Sequence, residues 1–323
     1  MSLHAEKTAN VAAAHELFNE EVGEILAGLT APQKRISPKY LYDQRGSELF
    51  DEICALPEYY PTRTECRIMQ AHLPEIAGLV GSRASVIEFG AGSNTKARQL
   101  LSHLDAPVAY VPVEISGEYL AEQAVELQRD FPGLSVVPVV ADFTKPFELP
   151  SHPIVPDRNL VFFPGSTIGN FARAEALSLL NVMAGEAREG GALLLGVDLI
   201  KDRRIIRDAY NDSRGITAAF NLNVLDHLNK GIGADFRPRG FRHEAIYDET
   251  NHRIEMRLIA CEDQTVNIAD ETIEFERGEY IITEYSHKYS IEGFTQLARE
   301  AGLTPRAVWT DADALFSVHY LTV

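Results

Sequence analysis

The stretch from Val86 to Lys96, Val-Ile-Glu-Phe-Gly-Ala-Gly-Ser-Asn-Thr-Lys, constrains this chain more than any other. An apolar run turns on Gly90 and Gly92 into a segment with Ala97, Leu100, Leu101 and Leu104 at helical spacing, and Ser93 stands where an N-cap belongs. Glycines at a strand-to-helix turn let bare backbone approach a ligand, and the helix N-terminus then points at it. The next apolar run, Val108 to Val113, ends in an acid, Glu114, about where a ribose-binding carboxylate is expected. A dinucleotide fingerprint needs a third glycine, and Thr95 takes its place here, which disfavours NAD. The plain alternative is a glycine turn in an α/β protein without a ligand, and the other strand ends decide against it.

From Ala84 onward, short apolar runs alternate with amphipathic helical patterns. Strands are expected at Ser85–Phe89, Val108–Ile115, Leu134–Val140, Leu160–Phe163 and Ala192–Val197, with helices at Thr95–Leu104, Glu118–Asp130 and Arg173–Glu186. Such alternation implies an α/β fold with a parallel sheet covered on both faces. Pro112 sits oddly inside the second strand, because it removes a ladder donor. Ligands bind outside the carboxyl ends of such strands. Those ends carry Gly90 and Gly92, then Glu114, then Asp142-Phe143, an acid and an aromatic suited to an adenine. The fourth strand runs into Pro164-Gly165-Ser166-Thr167-Ile168-Gly169-Asn170-Phe171. Asp142 as a turn residue and Asn170 as a helix N-cap are the ordinary readings of each residue alone. Four suitable strand ends together point to a bound cofactor.

Before the sheet, Thr8 to Leu29 reads as an amphipathic helix, followed by Tyr40, Tyr42, a turn at Asp43 to Gly46, a short helix through Leu56, and Pro57-Glu58-Tyr59-Tyr60-Pro61-Thr62-Arg63. Tyrosine has an apolar body and a polar tip, which suits a lid over a small polar ligand. After the fifth strand the pattern changes: Asp202 to Asp212 is charged, Ile216 to Leu228 is helical, and Gly233 to Gly240 is a loop. Period-two runs through Ile254, Met256 and Leu258, at Gln264–Ile268, at Thr272–Phe275 and at Tyr280–Tyr285 predict a small antiparallel sheet. Strict alternation in the last run would put Tyr280, Ile282, Glu284 and Ser286 on one face. A helix from Ser290 and strands at Pro305–Trp309 and Leu315–Thr322 then finish the main sheet. Residues 1–201 and 288–323 therefore read as one domain, and 202–287 as an inserted α+β lobe over the strand ends.

Composition excludes several classes. The net charge of −17 disfavours nucleic acid and anionic membrane as partners. Three scattered cysteines, Cys54, Cys66 and Cys261, suggest neither a disulfide framework nor a metal site. No apolar stretch reaches transmembrane length and the N-terminus lacks a signal-peptide core, so a cytoplasmic enzyme is expected.

Glu-x-Gly-x-Gly with an acid after the second strand resembles the S-adenosylmethionine-dependent methyltransferases. Five stretches together resemble one family of them, the ergothioneine-pathway L-histidine Nα-methyltransferases. They are Tyr42-Asp43-x-Arg45-Gly46-Ser47-x-Leu49-Phe50, Leu56-Pro57-Glu58-Tyr59-Tyr60-Pro61-Thr62-Arg63-x-Glu65, Gly90-x-Gly92, Phe163 to Phe171, and Thr283-Glu284-x-Ser286-x-Lys288-Tyr289. The likeness runs from about residue 36 to the C-terminus. It implies a Rossmann-like seven-stranded domain with an inserted substrate lobe, and transfer of three methyl groups to the α-amino nitrogen of histidine, giving hercynine.

The resemblance also implies roles. Gly90, Gly92, Lys96, Glu114, Asp142, Phe143, Gly165 and Thr167 would contact S-adenosylmethionine, with Glu114 standing where many members have aspartate. Asn170 and Tyr210 would hold the α-amino and α-carboxylate groups at the reacting end. Glu284 and Ser286 would grip the imidazole, with Met256 and either Tyr59 or Tyr60 lining the pocket and Tyr42 near the amine. The expected partner is L-histidine alone, the expected product S-adenosylhomocysteine, the expected state a monomer without metal. An indole acceptor is the alternative that Glu284 and Met256 disfavour; an idle cofactor-binding module is disfavoured by the intact acceptor loop.

Overall fold

The computed structural model describes residues 18–145, 147–150 and 154–323. The start of the expected helix at Thr8 lies outside the described residues; its remainder is helical over 18–29 (α1). In chain order follow α2 (Gln44–Cys54), α3 (Tyr60–Val80), β1 (Ala84–Phe89), α4 (Thr95–Leu101), β2 (Ala109–Glu114), α5 (Gly117–Asp130), β3 (Ser135–Val136), β4 (Val139–Val140), β5 (Arg158–Phe163), α6 (Arg173–Ala187) and β6 (Ala192–Asp198). Then come α7 (Arg203–Ala209), α8 (Ile216–Ile232), β7 (Phe241–Asp248), β8 (Arg253–Ala260), β9 (Gln264–Ile268), β10 (Glu271–Phe275) and β11 (Tyr280–His287), and last α9 (Ile291–Glu300), β12 (Thr304–Thr310) and β13 (Phe316–Thr322).

The main sheet has the order β12-β13-β6-β5-β1-β2-β3, with β4 beside β2 after β3. It is a Rossmann-like α/β sheet, parallel except that β13 runs antiparallel to both β6 and β12. The third strand is broken in two, and Pro112 supplies the reason. Tyr110 and Glu114 accept N–H bonds from Val137 and Ala141, so the donor missing at Pro112 faces the third strand. Pairing lapses there, between β3 and β4. β1 is buried along its whole length, and its alternate side chains enter two cores. Val86 packs with Ile68, Met69, Leu73 and Phe162 on the α3 side; Ile87 and Phe89 pack with Leu179, Leu180, Phe294 and Leu297 on the α6 and α9 side. Each such side chain contributes roughly 1.5–3 kcal/mol when fully buried.

Between β6 and α9 the chain builds a third core of its own. α8 lies on the sheet β11-β8-β7, and Phe220, Val224, Leu225, Met256, Leu258 and Ile281 pack there with Leu49 and Ile53 of α2. Three local expectations need correction. β9 and β10 form a separate two-stranded sheet rather than extending the three-stranded one. Asp43 to Gly46 is not a turn but the start of α2, where the Asp43 carboxylate accepts the Gly46 N–H and acts as the N-cap. Likewise α4 is preceded by Asn94, so Ser93 is not its N-cap.

Candidate active site

A cavity of about 890 Å³ lies at the carboxyl ends of β1, β2, β4 and β5, roofed by α2, β8 and β11. Gly90 has φ +68 at its floor, and a Cβ there would meet the Phe143 ring at 3.4 Å. Phe143 is held by Phe89 and Phe163, each with its ring centroid 5.7 Å away. The Glu114 carboxylate accepts the Ile115 N–H at 2.7 Å, and burial pushes its carboxyl above the usual range despite that bond. Burial would also raise Asp142, but hydrogen bonds from Thr144 and the Lys39 ammonium at 3.3 Å hold it low. The bare Gly90 backbone, an aromatic face beside it and two carboxylates at successive strand ends suit an adenosyl group.

Deeper in, Lys96 makes a 2.6 Å ion pair with Glu65, which is 1 % exposed. Glu65 also accepts the Gly165 N–H at 2.9 Å, so one buried carboxylate of α3 joins the β1 helix to the β5 loop. In that loop the Thr167 hydroxyl donates to the Pro164 carbonyl, and a Cβ on Gly169 would lie 2.6 Å from the His287 carbonyl. The loop therefore packs directly on β11 and delivers Asn170 to the cavity wall, its amide without a protein partner among the described residues. Glu88, also on the wall, accepts a hydrogen bond from Tyr110, and burial pushes its carboxyl up to about 7.

The roof differs from the alternation expected for β11. Tyr280 and Ile282 pair with Ile259 and Arg257, but a bulge at Thr283 shifts the register so that Glu284 and Ser286 pair with Met256 and Ile254. Tyr280 and Ile282 therefore lie on one face, and Glu284 and Ser286 on the other, beside Met256. The Thr283 hydroxyl donates to Asn221 Oδ1 at 2.5 Å and fixes the bulge. Asn221 in turn bonds His243 Nδ1 at 2.9 Å, and His243 Nε2 bonds the Tyr210 carbonyl at 2.9 Å. Glu284 is 7 % exposed and without an ion-pair or hydrogen-bond partner among the described residues. Burial pushes its carboxyl up to about 7, against the pull of Lys288.

Gly90, Gly92, Lys96, Glu114, Asp142, Phe143, Gly165, Thr167, Asn170, Tyr210, Tyr42, Tyr59, Met256, Glu284 and Ser286 all border this one cavity. Tyr60 does not. Its hydroxyl lies 2.8 Å from both Asp198 carboxylate oxygens and 2.7 Å from Lys201 Nζ, because its place at the start of α3 turns it toward β6. Tyr59 is the inward tyrosine, edge-on to Tyr210 at 6.3 Å. The two substrate anchors expected at opposite ends are also adjacent: Tyr210 Oη and Ser286 Oγ are 2.8 Å apart. Sequence reasoning missed Glu65, Asn221, Lys39 and the buried set Asp198, Lys201 and Lys288. Glu65 and Lys288 sit inside two of the quoted stretches, which was the available signal; Asn221 and Asp198 had none. No cluster of three or more His, Cys, Asp or Glu among the described residues could hold a metal ion, and no helix among them is long and apolar enough to cross a membrane.

Sheet order, glycine floor and strand-end acids together define a Rossmann-like methyltransferase. More narrowly, the chain belongs to the histidine-specific, S-adenosylmethionine-dependent methyltransferase family, whose model matches residues 21–323. It is 39 % identical over 308 residues to a histidine N-alpha-methyltransferase of Mycolicibacterium smegmatis, covering 94 % of this chain and 95 % of that one. It is 37 % identical to a protein of the same name from Mycobacterium tuberculosis, over 89 % and 90 % of the two chains. Ergothioneine biosynthesis protein 1 of Neurospora crassa is 31 % identical over 84 % of this chain but only 31 % of its own length.

Proposed function

We propose that this enzyme transfers methyl groups from S-adenosylmethionine to the α-amino nitrogen of L-histidine, forming hercynine in the first step of ergothioneine biosynthesis. The observation that carries the acceptor is Glu284, a buried carboxylate bordering the cavity with no hydrogen-bond or ion-pair partner among the described residues. Such a group has to be met by a donor on the ligand, and an imidazole N–H is one. Residues 202–287 serve as the acceptor lobe, and the enzyme acts as a cytoplasmic monomer.

Gly90 and Gly92 give the cofactor backbone room, Glu114 accepts from its ribose, Asp142 and Phe143 hold its adenine, and Lys96, Gly165 and Thr167 border its amino-acid end. When bound, the cofactor supplies an electrophilic methyl carbon. The protein's share is orientation. Asn170 and Tyr210 fix the acceptor's amino and carboxylate groups, Glu284 and Ser286 its ring, and Tyr42, Tyr59 and Met256 exclude water. Holding the two reactants as a near-attack pair lowers the barrier without a covalent enzyme intermediate. The amine reacts in its neutral form, and as methyls accumulate it turns about anchors that grip the carboxylate and the ring instead.

The test is mass spectrometry of the protein incubated with S-adenosylmethionine and histidine, with tryptophan in parallel. Three methyls on the histidine α-nitrogen is the expected result. Methylation of tryptophan alone would replace the acceptor and keep the chemistry.

A further inference from the structure

We propose that Lys288 is a positioning residue that turns the Tyr210–Ser286 hydroxyl pair into a single hydrogen-bond donor for the acceptor ring. The inference rests on histidine as the acceptor. Lys288 does not border the cavity; it is 4 % exposed and lies behind the two hydroxyls. Its Nζ is 2.7 Å from Asp198 Oδ2, 2.8 Å from Ser286 Oγ and 3.1 Å from Tyr210 Oη.

An ammonium has three protons and no lone pair, so all three are spent, and each hydroxyl oxygen accepts one. The two hydroxyls are themselves 2.8 Å apart, so one of them donates to the other. Two hydroxyl protons less that one leave a single proton, and neither oxygen has a further protein acceptor for it among the described residues. With Tyr210 as the internal donor, that proton is Ser286's and faces the ring, while Tyr210 keeps one lone pair for the acceptor's amino group. The ammonium and the Tyr210 proton fill both Ser286 lone pairs; without the cation one is free, and Ser286 could rotate and accept instead.

Two residues before Ser286 on the same face stands Glu284, an acceptor when ionised. One acceptor beside one donor matches a neutral imidazole, which has one N–H and one lone-pair nitrogen. An imidazolium, an indole or a pyrrole has no such lone pair. A buried donor left unpaired by those rings costs binding, and so the cation behind the hydroxyls contributes to ring selection.

The surroundings hold Lys288 to this task. Asp198 also receives the Tyr60 hydroxyl and Lys201 Nζ at 2.5 Å, and its N–H donates to Ser166 Oγ in the acceptor loop. The Lys288 N–H donates to the His252 carbonyl at 2.7 Å, and the Tyr289 N–H to the Asp198 carbonyl at 3.0 Å. Main chain and ammonium are both fixed.

The experiment compares histidine with 3-(pyrrol-2-yl)alanine, which keeps a ring N–H and lacks the lone-pair nitrogen. In Lys288→Met the preference for histidine over this analogue is expected to fall at least tenfold. KM for histidine should rise by a similar factor, with KM for S-adenosylmethionine within twofold. Adding Lys288→Met to a Tyr210→Phe/Ser286→Ala background should change histidine KM by less than twofold, since the hydroxyls it acts through are gone. Additive losses, or equal losses for histidine and cofactor, would assign Lys288 a merely structural role and overturn the proposal. Should Lys288→Met not fold, nitrogen NMR of labelled histidine bound to the wild-type enzyme with S-adenosylhomocysteine decides. One pyrrole-type and one hydrogen-bonded pyridine-type nitrogen supports the proposal, and an imidazolium signature overturns it. Wild-type protein inert toward histidine would remove both this inference and the reading beneath it; normal wild-type turnover with unchanged selectivity in the variants would remove this inference alone.

Discussion

Glu284 is placed where it is useful to a ligand and costly to the free protein. Burial pushes its carboxyl up to about 7, and Lys288 only partly offsets that. A carboxyl raised above its unfolded value of about 4.3 favours folding in its protonated form. Its contribution is therefore complete below about pH 4 and is lost as pH rises through 7. Glu284→Gln should be more stable than wild type at pH 8 without histidine, by about 3–4 kcal/mol on the linkage arithmetic, with the gap closing toward pH 5. Thermal melts of both proteins at the two pH values measure it, and an equal difference at both would refute it. The same substitution should raise KM for histidine at least tenfold at pH 8. In the wild type, KM for histidine should climb as pH falls below 7 and the Glu284 carboxylate is neutralised.

At the level of elements, the β11 bulge decides that Glu284 shares a face with Ser286 and Met256. A regular strand would have left it facing the Arg257 side with Ile282. Thr283→Val keeps the shape and removes the hydroxyl that Asn221 and the Met256 carbonyl receive. The stranded Asn221 oxygen is expected to lower stability by about 1–3 kcal/mol. If the bulge relaxes, KM for histidine should rise about tenfold while KM for S-adenosylmethionine holds; loss of stability with both constants unchanged would mean the bulge survives without Thr283. A second element contact lies behind Lys96 and Gly165, on the side proposed for the cofactor. A Cβ on Gly196 of β6 would lie 1.9 Å from Glu65 Oε1, so Gly196→Ala should push Glu65 off Lys96 and Gly165. KM for S-adenosylmethionine should rise before that for histidine does, and the reverse order would detach Glu65 from cofactor binding. These contacts mark what the sequence could convey. β1, β2, β5 and β6 were legible because buried parallel strands are continuous apolar runs, and their C-terminal Gly90, Glu114 and Asn170 followed from topology. The bulge was not, because period-two patterning through Tyr280, Ile282, Glu284 and Ser286 reads the same with or without one extra residue. Tyr59 and Tyr60 could not be told apart either, since the helix start that separates them shows only as Pro61. β3 and β4 read as one strand because the break depends on a donor missing from its neighbour.

Across the whole molecule, the cavity is shared between cores that are joined at few polar points. Residues 34–36 run alongside β11, with the Ile36 N–H donating to the Ile282 carbonyl and the Ile282 N–H to the Lys34 carbonyl, both at 2.9 Å. The same segment carries Lys39 to Asp142, on the cofactor wall. α2 reaches the other side through Asp51, which accepts the Tyr119 hydroxyl of α5 at 3.0 Å. The strand that holds Glu284 is thus tied through a short strap to Asp142 on the opposite wall of the cavity. A ligand that orders one wall restrains the other, so S-adenosylhomocysteine and histidine should bind cooperatively, each tightening the other by the same factor. Calorimetric titration of histidine with and without S-adenosylhomocysteine measures that factor, expected at five-fold or more. Lys39→Ala cuts the strap from Asp142 and should reduce the factor equally in both directions, while leaving histidine affinity in the cofactor-free protein unchanged. An unaltered histidine Kd with and without S-adenosylhomocysteine would mean that the two walls act independently and that the strap only holds the fold.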